Sequence, residues 1–211
     1  MAETSNNAQP SGGVAPRTNA FNNDVPKPED FYLAPVELVK CLIEIGPKIK
    51  ATGAWWSLIG DLGENLIGVY VRPTEVEIVT DAAGLEKIYS AMSEYGPAPI
   101  QVKERRLERA AELDGKSYPI TERSSYTEFS VNGAKVKLHG EYQLKVGDWE
   151  WGDTFLFEPT VVYVATAQIP VMPLRLGSEQ YIILGWTDRA KLLSDSYTRE
   201  HAMLNLAKGA T

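Results

Sequence analysis

Hydrophobic and polar positions follow two rhythms along this chain, and the switches between them mark its elements. From Pro35 to Ala51 apolar residues return every three or four positions, with Val36, Val39 and Ile43 in one row and Leu38, Leu42 and Ile45 in the next. That spacing predicts an amphipathic helix, ended or kinked by Pro47. Gly53 to Ile59 reads as a short buried strand, in which the adjacent Trp55 and Trp56 face opposite sides of a sheet. A short helix over Asp61–Leu66 follows directly after Gly60. Residues from Thr74 to Thr80 alternate, which predicts a strand. Asp81 is placed to cap a helix over Ala82–Tyr95, with Leu85, Ile88, Tyr89 and Met92 on its apolar face. Gly96-Pro97-Ala98-Pro99 stops it.

The charged run from Lys103 to Lys116 is expected to be a short helix or a mobile loop. Beyond Ser117 the pattern turns β-rich. Tyr126–Val131 and Lys135–Glu141 flank Asn132-Gly133, a pair suited to a two-residue turn with positive φ, so a hairpin is predicted. Gln143–Trp151 and Val161–Ile169 are further expected strands. Helical patterns over Leu174–Leu184 and Thr187–Leu206 close the chain. The order of elements predicts an α/β (α+β) fold, a mixed sheet with flanking helices.

Residues 1–30 change the picture only by contrast. They are rich in Asn, Ser, Gly and Pro with few large apolar groups, and are expected to form a disordered tail before one domain over 31–211. The 211 residues carry a formal net charge of −7, which gives no overall attraction to nucleic acid or anionic membrane. The single cysteine, Cys41, cannot form an intramolecular disulfide, and no Cys/His cluster has zinc-site spacing. No apolar run reaches the roughly 18 residues of a transmembrane helix, and no signal-peptide pattern opens the chain. A cytoplasmic location is expected.

The stretch from Trp56 to Asp81 carries the candidate chemistry. Glu75 and Glu77 alternate on one strand, so their side chains share a face, about 6.5–7 Å apart along the chain. Two carboxylates facing a glycine-containing turn form the skeleton of a site for a divalent cation and a phosphate. This arrangement, with Trp56-Ser57-Leu58-Ile59-Gly60-Asp61 before Glu75-Val76-Glu77-Ile78, resembles the core of the nucleotidyltransferase superfamily. Val136-Lys137-Leu138 and Ile169-Pro170-Val171-Met172-Pro173-Leu174 fall where its small prokaryotic members have a third acidic strand and the entry to a C-terminal helix. The resemblance implies a nucleotidyltransferase-like mixed β-sheet with C-terminal helices. It implies Mg2+ held by Glu75 and Glu77, a nucleoside triphosphate whose phosphates approach at Gly60 and Asp61, and transfer of a nucleotidyl group to a hydroxyl acceptor of unknown identity.

Three residues depart from the family pattern. Both acidic positions are glutamates, whose extra methylene loosens the placement of ligands around magnesium. Asp61 stands where the family has a small residue, and its charge opposes an incoming phosphate. Lys137 stands where a third acid is expected. Its ammonium could pair with Glu75 or Glu77, or lie on a solvated face. Strand alternation puts Lys137, His139 and Glu141 on one side, so a register slip of two residues would bring His139 or Glu141 to the pair instead. Two readings follow: a metal-dependent transferase, or a degenerate member acting as a binding or regulatory subunit with a protein partner. Trp149 and Trp151 could stack on a base or cover an edge. The Lys103–Arg109 run reads as a solvated face and gives no strong nucleic-acid signal. Arg175 and Arg189 lie in the region that flanks the family's nucleotide cleft.

Overall fold

The computed structural model describes residues 34–209, with side chains to Thr198. The predicted tail over 1–30 lies outside the described residues. Helix α1 spans Val36–Ala51. Pro47 sits within it and does not end it, because the proline lies on the exposed side while Leu42, Ile45 and Ile49 continue to bury the other. Strand β1 (Trp56–Ile59) runs into the short helix α2 (Gly60–Leu66), and β2 (Val76–Thr80) leads into α3 (Ala82–Ala91). Asp81 caps α3 by accepting from the Gly84 amide at 2.5 Å. A 3-10 turn over Ser93–Tyr95 ends this helical stretch at Gly96, whose φ is +61°.

The charged run is neither helix nor loop. Gln101–Arg106 forms strand β3, and Ala111–Leu113 (β4) pairs with Lys116–Tyr118 (β5) around Asp114-Gly115, both at positive φ. Helix-favouring residues lose here to pairing with a long neighbour: every position of β3 has a partner on β6 (Ile120–Val131). The Asp-Gly pair is a hairpin signal of the same kind as Asn132-Gly133. That second turn joins β6 to β7 (Ala134–Val146), where the strand stops at Gly147 instead of continuing to Trp151. The strand expected over Val161–Ile169 is a hairpin of β8 (Thr160–Val164) and β9 (Ala167–Val171), reversed at Ala165 with φ +54°. Helices α4 (Leu174–Ile183) and α5 (Thr187–Gly209) complete the described chain.

Seven strands form one mixed sheet in the order β3-β6-β7-β2-β1-β9-β8, with β4 and β5 in a separate pair. Two of its contacts are parallel, β2 with β7 and β1 with β9. Alternation divides the sheet into two faces. Val136, Leu138, Ile78 and Ile169 join α1 and α3 in the main core. The opposite side of β2, β7, β6 and β3 is polar and carries Glu77, Lys137, His139, Ser124 and Lys103. Helix α3 approaches β7 closely at Gly140, where a β-carbon would lie 3.0 Å from Leu85 Cβ and 2.8 Å from its Cδ2. Leu174 and Leu193 of the C-terminal helices pack on Val69 and Val71, which fixes those helices beside α2.

Gly140→Val should overpack this contact and lower unfolding free energy by about 1–3 kcal/mol, read from the midpoint of urea denaturation.

Candidate active site

β1 delivers Gly60 to the start of α2 with φ +67°, a backbone conformation open to glycine at little cost. The tip of the Glu77 side chain lies close against it. A β-carbon on Gly60 would lie 2.5 Å from Glu77 Oε2, so the carboxylate of β2 rests against the turn itself. β2 pairs with β7 in parallel, and the register sets Glu77 beside Lys137 and Val79 beside His139. Lys137 Nζ donates to Glu77 Oε1 at 3.2 Å and also pairs with Glu75 Oε1. Glu75 lies one residue before β2 and still reaches the same ammonium.

Burial pushes the Glu77 carboxyl above its ordinary range, with Lys137 pulling back and Glu75 adding to the rise. Burial draws the Lys137 ammonium down, but its bonds to Glu75 and its attraction to Glu77 leave it above its usual value. The pair of acids is thus built around a cation supplied by the chain.

Glu141 does not join this group. β7 carries an extra residue opposite Ser124, where the register shifts, and Glu141 takes φ +54° in that bulge. The bulge breaks the alternation expected from the sequence and puts Tyr142 on the polar face instead. Tyr142 Oη donates to Glu122 Oε2 at 2.9 Å, and its ring meets His139 edge-on at 5.5 Å. His139 is buried, with Nδ1 3.0 Å from Ser124 Oγ and Nε2 without a hydrogen-bond partner. Burial holds its pKa down to about 3, helped by the nearby Lys137, Lys103 and Arg105.

The second cluster lies across Gly60. Arg189 Nη2 pairs with Asp61 Oδ1 and, at 2.5 Å, with Glu64 Oε2. Glu64 is 2% exposed and also accepts from Tyr181 Oη at 2.7 Å. Burial raises the Glu64 pKa even though Arg189 and Tyr181 oppose the shift. Sequence reading located Asp61 and Arg189 but missed Glu64, one turn beyond Asp61 on the same side of α2. Arg175, the other basic candidate, pairs with Glu179 on the exposed side of α4. A cavity of about 330 Å³ opens beside Arg189. Tyr181 and Trp186 stack along it at 5.6 Å, and Arg109 lies 5.0 Å over the Trp186 ring while pairing with Asp188.

Trp149 and Trp151 cover strand surfaces: Trp149 packs on Tyr118 at 6.1 Å, and Arg123 lies 4.4 Å over Trp151.

Magnesium held by Glu75 and Glu77 would have to take the place of Lys137. Magnesium needs oxygen ligands in a tight octahedron near 2.0–2.1 Å, whereas both carboxylates are turned onto one ammonium. Among the described residues, no three His, Cys, Asp or Glu side chains are grouped to share an ion.

Comparison with protein-family models gives no match, and neither does comparison with curated protein sequences. Solved structures do match. A candidate nucleotidyltransferase from Thermotoga maritima superposes with a TM-score of 0.55 at 24% identity, covering 80% of this chain and 97% of that one. The chain therefore has a nucleotidyltransferase fold, with a mixed sheet and flanking helices. A more distant match is ANT(2'')-Ia in complex with adenylyl-2''-tobramycin, with a TM-score of 0.41 at 8% identity, covering 79% of this chain and 93% of that one.

Two outcomes test the electrostatics. Removing Arg189 leaves Glu64 buried without its cation, so Arg189→Met should cost about 3–5 kcal/mol in denaturant unfolding. Adding Glu64→Gln to it should recover much of the loss. His139 has a folded-state pKa near 3 against about 6.5 when unfolded, so its stabilising effect is complete above pH 6.5. That effect is lost as the pH falls towards 3, at no more than about 1.4 kcal/mol per pH unit. His139→Asn should flatten the stability–pH curve over this window.

Proposed function

We propose that this chain is a nucleotidyltransferase-fold protein whose acidic pair has become a structural ion-pair cluster, and that it serves as a binding or regulatory subunit without metal-dependent nucleotidyl transfer. The observation that carries this reading is Lys137 Nζ between Glu75 and Glu77. A divalent cation would have to displace an ammonium that is only 14% exposed and bonded to both acids. That exchange strands a charge in a half-buried site, which costs several kcal/mol unless new partners appear. On the other side of Gly60, Asp61 opposes phosphate at the turn, and its cation Arg189 is shared with Glu64.

What remains of the cleft is the space lined by Tyr181, Trp186, Arg109 and Arg189, where a partner or ligand would bind without a metal bridge. The described residues contain no helix long and apolar enough to cross a membrane. The proposed setting is the cytoplasm, where the buried Cys41, its thiol pushed up to about 12 by burial, stays reduced.

Calorimetry with manganese and with magnesium–nucleoside triphosphate tests the reading. The natural chain should bind neither in the millimolar range, whereas Lys137→Asp should gain manganese binding by restoring a third acid. Metal binding by the natural chain that disappears in Glu77→Gln would instead establish a working metal site and the transferase reading.

A further inference from the structure

The seven-stranded sheet ends in two unlike edges. At one, β3 carries Lys103, Glu104, Arg105 and Arg106, the kind of charged edge that keeps an open strand from pairing with another chain. At the other, β8 reads Thr160-Val161-Val162-Tyr163-Val164 and has no charge, glycine or proline. Among the described residues, no strand pairs with its outer side. Val161 and Tyr163 share one face of β8 and are 52% and 69% exposed. The protection built into one edge is missing from the other.

We infer that β8 pairs antiparallel with β8 of a second copy of this chain, about a two-fold axis through Val162, to make one continuous sheet. The residue pattern favours a copy over an unrelated strand. In this register Val161 lies opposite Tyr163 of the other copy, and the axis repeats that contact. A β-branched residue facing an aromatic one is among the favourable cross-strand pairs. A charge at position 162 would face its own equivalent across the axis, and an uncharged valine stands there. Tyr163 is already held, since its hydroxyl accepts from Gln168 Nε2 at 3.1 Å.

Five paired residues fall short of the roughly 1,000 Å² expected of a specific interface. Helix α1 extends the patch. It packs over β9 and β8 beside this edge. A β-carbon on Gly46 would meet Ile169 and Ala167 of β9, and Lys50 Nζ donates to Gln168 at 2.5 Å. On the same helix Val36 and Ile43, two helical turns apart, are 65% and 39% exposed. In the proposed dimer a dyad-related copy covers strand and helix with its own strand and helix.

The test is the mass of the full chain by light scattering coupled to size exclusion, with circular dichroism to confirm folding. The natural chain should run at about twice its 23.3 kDa. Val161→Lys with Tyr163→Lys places lysine opposite lysine across the axis and should halve that mass while the dichroism is unchanged. Val161→Lys with Tyr163→Glu places lysine opposite glutamate and should keep the dimer. A monomeric natural chain, with the edge covered by another segment or a different partner, would overturn the proposal. So would a dimer that survives the double-lysine change, or a folded lysine–glutamate variant that is monomeric.

Discussion

An ammonium held between two carboxylates sets what the polar face of this sheet can do. Charges that are half out of water are costly, and the cost falls only when opposite charges and hydrogen bonds are already in place. Lys137 meets that requirement for Glu75 and Glu77. The parallel register of β2 with β7 fixes the arrangement, because it sets Lys137 directly beside Glu77. Gly60 then lets the Glu77 carboxylate rest against the turn, where a β-carbon would make that carboxylate shift. One backbone register therefore joins the turn, the acids and their cation.

The same logic recurs on the far side of Gly60, where Arg189 serves Asp61 and the buried Glu64. This second cluster ties α5 to α2 and complements the packing of Leu193 and Leu174 on Val69 and Val71. The acids on both sides of Gly60 are thus committed to cations of the chain itself, Glu75 and Glu77 to Lys137, Asp61 and Glu64 to Arg189. The fold is retained because its core depends on the apolar face of the sheet, with Val136, Leu138 and Ile78 against α1 and α3, and not on the polar face.

Much of the fold was legible because it rests on local periodicity. The helix over 36–51, the acidic strand, the Asp81 cap and the Asn132-Gly133 hairpin all follow from spacing and turn chemistry. The misses have tertiary causes. β3 is charged and helix-favouring, and is a strand because β6 pairs with it along its length. The bulge at Glu141 has no simple sequence signature, yet it replaces Glu141 by Tyr142 on the polar face. Glu64 was invisible as a site residue because its meaning depends on Arg189 and Tyr181, both more than a hundred residues away. Contacts of that range are fixed by packing, and alternation within one strand carries no record of them.

In the proposed arrangement the space between Glu75 and Glu77 belongs to Lys137. Anomalous scattering from crystals soaked in manganese tests it directly, at the absorption edge of the metal. No manganese peak should lie between the two carboxylates, and clear density for the lysine side chain should appear there. A manganese ion ligated by both glutamates, with Lys137 swung away, would contradict it.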